Sequence, residues 1–274
     1  MNQRTPFAQR VITALIFGFV LLVPIFIGSI SGLIVLGVLC GLTVIEYLSL
    51  QKVKTPGFYL IVIFSVFMFI SLCGLILTQG IVDAVRYASL LCVLFDFLLI
   101  FRLFKAINPF HFKIHLLPAV LYVALPLALL YGLASFDGQY RPRMIVAILC
   151  LIWINDVMAY LVGRKFGKRP FAIHVSPKKT WEGSLAGWAS TIILGAMIHF
   201  ILDHLPMWEW MVIGLIVGTI GSIGDLVESL FKRKLGIKDS GTFLPGHGGF
   251  LDRLDSLLFA VPFVVFFLFV TKYI

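Results

Sequence analysis

Residues 58–78 read FYLIVIFSVFMFISLCGLILT, twenty-one positions without a charged side chain. That length matches the roughly 20 apolar residues an α-helix needs to cross a bilayer. In hydrocarbon a backbone must satisfy its own hydrogen bonds, which leaves helices and closed barrels. The run is continuous and does not alternate with period two, so a helix is expected. Comparable runs lie at 11–28, 31–50, 84–101, 116–134, 144–163, 184–204, 209–230 and 257–274. The expected fold class is therefore all-α, a polytopic integral membrane bundle of about nine transmembrane helices.

Composition points the same way. The 274 residues are 60% hydrophobic and 13% charged, with mean hydropathy +1.04, against about 25% charged in soluble domains. A single soluble core of this size would not hide so much apolar surface. Placing the N-terminus inside puts 18 Lys and Arg residues on the inner face, leaving Arg86, Arg141, Arg143 and Lys272 outside. This asymmetry follows the positive-inside rule and favours an odd number of spans with the C-terminus outside. The net charge of +9 sits in loops, where it suits anionic lipid or phosphate substrates better than nucleic acid. Cys40, Cys73, Cys92 and Cys150 lie in apolar runs without metal-ligand spacing and read as small packing residues. The basic start followed by an apolar stretch resembles a signal peptide. It shows no small-residue cleavage site, so an uncleaved first helix is expected. Residues 1–140 carry few motifs and read as a scaffold, whereas 141–274 carry the polar inside loops.

Two constellations flank those loops. In the first, Asn155 and Asp156 sit about two turns from the inner end of the sixth span, with Asp156, Tyr160 and Arg164 at i, i+4 and i+8 on one face. A carboxylate at that depth either faces a cavity or pairs with a neighbour such as Tyr160 or Arg164. The stretch SPKKTWEG follows, with adjacent Lys178 and Lys179. In the second, Asp225 and Glu228 are i, i+3 neighbours, and Asp252 and Asp255 repeat that spacing before the last span. Unpaired, such carboxylates repel one another, and a divalent cation relieves the repulsion. Hard oxygen donors suit Mg²⁺, and a second cation is compatible with four carboxylates. Between the acid pairs lie Lys232, Arg233, Lys234 and Lys238, then Pro245-Gly246-His247-Gly248-Gly249. Glycines allow backbone N–H groups close to a phosphate. His247 either touches phosphate, shuttles a proton or shapes the turn. Glu46 and Asp96 receive no role.

The run Ser229–Asp255, SLFKRKLGIKDSGTFLPGHGGFLDRLD, resembles the signature of the phosphatidate cytidylyltransferases, or CDP-diacylglycerol synthases. NDVMAY, GRKFGK and SPKKTWEG are also similar to stretches of that family, so the resemblance is specific from about 153 to 256. It implies that CTP and phosphatidate give CDP-diacylglycerol and pyrophosphate with Mg²⁺, in a bacterial inner membrane, at a site facing the cytoplasm. The partners implied are those two substrates and the bilayer, with a homodimer compatible. On this resemblance Asp225, Asp252 and Asp255 are expected metal ligands, with Glu228 beside them. Lys178, Lys179, Lys232, Arg233 and Lys238 are expected phosphate clamps. Asp156 and Asn155 are expected to line the cavity, and His247, Gly248, Gly249 and Arg253 to contact substrate. A polyprenol-kinase-like phosphotransferase would use a similar site but move the γ-phosphate. A transporter would carry charges nearer the membrane midplane and show repeat symmetry.

Overall fold

A computed structural model describes residues 6–273 apart from 55, 80–82, 136–138, 174, 203 and 242–247. Nine helices and one β-hairpin make up the described secondary structure. The helices are α1 (Pro6–Ile27), α2 (Ser29–Leu50), α3 (Gly57–Gln79), α4 (Asp83–Phe104), α5 (Leu116–Leu133), α6 (Arg143–Phe166), α7 (Trp181–His199), α8 (Met207–Lys234) and α9 (Leu251–Tyr273). Seven of them, α2 to α6, α8 and α9, are long and apolar enough to cross a membrane. In α1 the stretch Leu15–Ile27 is apolar but shorter. An all-α polytopic membrane architecture follows from these lengths. Apolar side chains on the outer faces of α1 to α4, among them Phe19, Ile34, Ile63 and Leu94, are exposed, as lipid-facing positions are.

The hairpin is a departure from the expected helices and loops. Strand β1 (Pro170–Ala172) pairs antiparallel with β2 (Ser176–Thr180), setting Pro170 opposite Thr180 and Ala172 opposite Ser176. Strands of three and five residues are too short for an alternation signal. Tertiary packing holds them. Val175 buries against Leu226 and Leu230 of α8, and the Phe171 ring meets Trp181 edge-on at 4.6 Å.

Helix ends also shift. The last span begins at Leu251, six residues before the expected 257, so Asp252 and Asp255 lie within its first two turns. An acidic residue there interacts favourably with the positive helix N-terminus. At the other boundary α8 runs to Lys234, so Lys232, Arg233 and Lys234 form its last turn, where cations are favoured. In α5, Pro126 has no N–H to offer the carbonyl four residues back, and Ala119–Ala124 winds as a π-helix. One apolar core runs through both halves of the chain, with α9 packed on α4, α5 and α8.

Helices α6, α7 and α8 pack closely because small residues face one another. In α7, Gly183, Gly187, Thr191 and Gly195 recur every four residues on one face. A methyl on Gly187 would stand 2.6 Å from Asn155 Oδ1, and one on Gly218 would stand 2.6 Å from Thr191 Oγ1. Gly214 lies flat against the Thr191 carbonyl, whose carbon would be 2.8 Å from an added Cβ. Gly74, by contrast, has nothing within 4 Å of that position. Gly214→Ala should therefore lower the thermal midpoint of the detergent-purified protein, at an overpacking cost of about 2 kcal/mol. Gly74→Ala should leave the midpoint unchanged or slightly raised.

Candidate active site

Polar residues of α2, α6, α8 and α9, with strand β2, come together at one end of the bundle. Lys232, in the last turn of α8, bridges two acids. Its Nζ donates to Asp252 Oδ1 at 2.6 Å and pairs with Glu228 one turn earlier. The other Asp252 oxygen, Oδ2, accepts from the backbone N–H of Ser240 at 2.8 Å and of Gly249 at 2.9 Å. One carboxylate thus ties the end of α8, the loop after it and the start of α9. Gly248 adopts φ +82°, and a Cβ there would strike Asp252 Oδ2. Glu228 is fully buried, and its Oε1 has no hydrogen-bond partner.

Glu46, in α2, anchors the same loop from the opposite side. Its carboxylate accepts from the Phe250 N–H at 2.8 Å, the Leu251 N–H at 3.0 Å and the Ser240 hydroxyl. These N–H groups belong to the start of α9, where a helix has no internal acceptors to offer. Gly249 and Gly241 pack directly on this carboxylate, and a side chain at Gly249 would displace it. The sequence signal for Glu46 was only its isolation. It is the single acidic residue of α2, which demands a partner but does not name one.

A second group surrounds a polar cavity of about 270 Å³ lined by Asn155, Asp156, Tyr160, Lys178, Lys179, Thr180, Ser184, Ser222 and Asp225. Lys179 pairs with Asp225, whose Oδ1 also accepts from Ser229 Oγ at 3.2 Å. Asn155 is buried and donates to Ser222 Oγ at 3.2 Å, which also accepts from Trp188 Nε1 at 3.4 Å. Ser222, Trp188 and Thr180 join the site without having been singled out from sequence. Thr180 caps α7 through the Gly183 N–H, and Glu182 accepts from the Lys168 and Arg169 N–H groups. Backbone N–H groups, its own and that of Lys168 foremost, hold the Glu182 carboxyl below the usual carboxylate range. Arg164 donates to Tyr160 at 3.4 Å, while Asp156 faces the cavity.

A larger cavity of about 630 Å³ separates α1 from α6 and α9. It is lined by Phe17, Leu21, Leu149, Ile152 and Trp153, with Asp156, Asp252, Arg253 and Asp255 at one end. Asp156 lines both cavities. Asp255 lies within electrostatic range of Asp225, Asp156 and Lys232, so three carboxylates from three helices share one field. Arg233 donates to the Ile237 carbonyl at 3.2 Å and is exposed, as are Lys178 and Lys238. His247 lies outside the described residues. Among those residues no three His, Cys, Asp or Glu side chains form a ready-made metal cage.

A model of the Cytidylyltransferase family matches residues 8–271. The chain belongs to this family. It is 32% identical over 257 residues to a phosphatidate cytidylyltransferase of Staphylococcus haemolyticus, covering 92% of this chain and 95% of the relative. It is 30% identical over 266 residues to the phosphatidate cytidylyltransferase of Bacillus subtilis, covering 95% and 97%. A Haemophilus influenzae protein of the same name is 39% identical over 140 residues, 49% of each chain. The family resemblance seen in Ser229–Asp255 thus extends along nearly the whole chain.

Removing Lys232 should expose how strongly the two acid groups depend on it. Lys232→Met leaves Glu228 and Asp252 uncompensated, a loss on the order of 3–5 kcal/mol for a broken buried pair. Adding Glu228→Gln should recover part of that loss, as measured by thermal unfolding of the two variants in detergent.

Proposed function

We propose that this protein is a CTP:phosphatidate cytidylyltransferase, forming CDP-diacylglycerol and pyrophosphate at the inner membrane interface. The observation that carries this reading is the position of Asp156, shared by a lysine-lined polar cavity and a deep apolar one. A water-soluble nucleotide suits the first, and a lipid whose phosphate meets the interface suits the second. The names of the bacterial relatives support the same substrates.

In this mechanism a phosphatidate phosphate oxygen attacks the α-phosphorus of CTP. A bond forms there, the α–β phosphoanhydride bond breaks, and pyrophosphate leaves with the electron pair. The attacking oxygen is already anionic, so the site's task is to screen charge rather than remove a proton. Lys178 and Lys179 extend from β2 into the polar cavity and supply point charges for the triphosphate. Arg253, in the lining of the apolar cavity, lies where the lipid phosphate would enter. Lys238, Arg233 and the His247 segment are further candidates for holding the leaving pyrophosphate.

Mg²⁺ commonly takes one or two protein carboxylates and completes its shell with water and substrate phosphates. Asp225 and Asp255, mutually repelling and close to Asp156, fit that donor set. Glu228 and Asp252 are engaged by Lys232 and support it from behind. When bound, the ion would neutralise charge on the transferring and leaving phosphates. The protein's own contribution is to position those acids: Lys179 and Ser229 hold Asp225, and the Ser256 N–H at 2.6 Å holds Asp255.

The charge asymmetry of 18 inner to 4 outer cations supports nine spans, an inside N-terminus and a cytoplasm-facing site in a bacterial inner membrane. Asp225→Asn should lower pyrophosphate release by on the order of 100-fold in phosphatidate vesicles with CTP and saturating Mg²⁺. Asp83→Asn, an exposed change at the other end of α4, should match the parent protein. Equal rates for Asp225→Asn and the parent would remove Asp225 from the chemistry.

A further inference from the structure

Helix α1 has a cavity on each side of it. Towards α6 and α9 lies the 630 Å³ cavity already described. Towards α2 lies another, of about 440 Å³, lined by Ile16, Val20, Val35, Val38, Leu39 and Leu42. Thr13, Phe17 and Leu21 line both. The α2-side cavity ends at Phe250, the residue whose N–H is held by Glu46. The Phe17 and Phe250 rings stand 6.3 Å apart, with Phe17 between Thr13 and Leu21 in the shared wall. The α2-side compartment thus reaches Phe250 and the α6-side compartment Asp252 and Arg253, within one turn of each other at the start of α9, and both run along α1.

The dimensions suit hydrocarbon chains. From Thr13 to Val23 the α6-side wall runs eleven residues, a rise of about 15 Å, half of a ~30 Å hydrocarbon core. Each volume lies within the roughly 300–1,000 Å³ of ligand pockets. Apart from Thr13 the α2-side lining is wholly apolar, while the α6-side lining changes from apolar to charged at the end near α9. A chain entering either compartment comes from lipid and not from water, so selection there rests on shape, as in helix packing within bilayers.

We propose that the two cavities flanking α1 receive the two acyl chains of one diacyl lipid substrate, one chain each, with Phe17 and Leu21 as the partition. The phosphate of that lipid lies at the shared end, by Arg253 and the carboxylates of α6 and α9. This assignment rests on the lipid phosphate being the cytidylyl acceptor. It adds that the α2-side compartment discriminates two-chain from one-chain acceptors.

Two measurements test it. In the first, the unmodified protein sits in phosphatidylcholine vesicles containing phosphatidate with a photoreactive group in only one of its chains. The two singly labelled forms should mark different walls, 35–42 of α2 for one and 149–153 of α6 for the other. Labelling of the α6 wall alone by both forms would overturn the proposal. The second compares Val38→Trp, which narrows the α2-side cavity from an exposed position, with Ile34→Trp, exposed on the same helix outside the cavity lining. Val38→Trp should lower kcat/KM for phosphatidate about tenfold while leaving lysophosphatidate within about twofold of the parent. Ile34→Trp should change neither. Equal losses on both acceptors, or none, would contradict two chain compartments. If the parent protein makes CDP-lipid from neither acceptor, the proposed reaction fails, and the labelling pattern still decides whether two chains are held apart.

Discussion

The Lys232 ammonium between Glu228 and Asp252 is the constraint on which the rest of the site depends. At the end of an apolar helical bundle two buried carboxylates could not sit this close without a cation between them. Lys232 supplies it from α8. Because Asp252 has a second oxygen, the same group also captures the Ser240 and Gly249 N–H groups. The connection from α8 to α9 is therefore fixed at both ends by one carboxylate. The first turns of α9, which carry Arg253 and Asp255, inherit that position.

Glu46 completes the arrangement from the part of the chain that looked most like scaffold. It receives the first N–H groups of α9 and the Ser240 hydroxyl, so the loop is gripped by carboxylates on two faces. The glycines of this loop also have a structural part to play. Gly248 turns the chain at positive φ beside Asp252, and Gly249 lets Glu46 approach the backbone. Their small size lets both carboxylates pack against the loop. Farther along, the four-residue repeat of small side chains in α7 lets α6 and α8 close in, and Asn155, Ser222 and Trp188 hydrogen-bond across that seam.

Much of this was legible in the chain. Uncharged runs such as 58–78 specify helices because a membrane leaves the backbone few alternatives. The paired acids at 225/228 and 252/255 pointed through helical spacing to a candidate site, and Ser229–Asp255 pointed to the family. What escaped was set by distance in sequence or by shortness. Glu46 meets its partners nearly 200 residues away, and no local pattern encodes that. The β1–β2 hairpin is too brief to alternate, and its stability comes from packing on Leu226 and Leu230. The pairing of Lys232, expected as a phosphate clamp, with two acids was likewise unreadable, since spacing brings Glu228 near but says nothing of Asp252. The small-residue stripe at Gly183, Gly187, Thr191 and Gly195 was visible and would have predicted the close seam.

Cytidylyl transfer, the activity of the family to which the chain belongs, makes one chemical commitment: the α-phosphate of the nucleotide, and not the γ-phosphate, goes to the lipid. The most direct measurement is to supply the purified protein with phosphatidate, Mg²⁺ and CTP labelled at either the α or the γ position. Label from the α position should appear in lipid, and label from the γ position in released pyrophosphate. Lipid labelled from the γ position, with CDP released, would contradict cytidylyl transfer and make the protein a kinase.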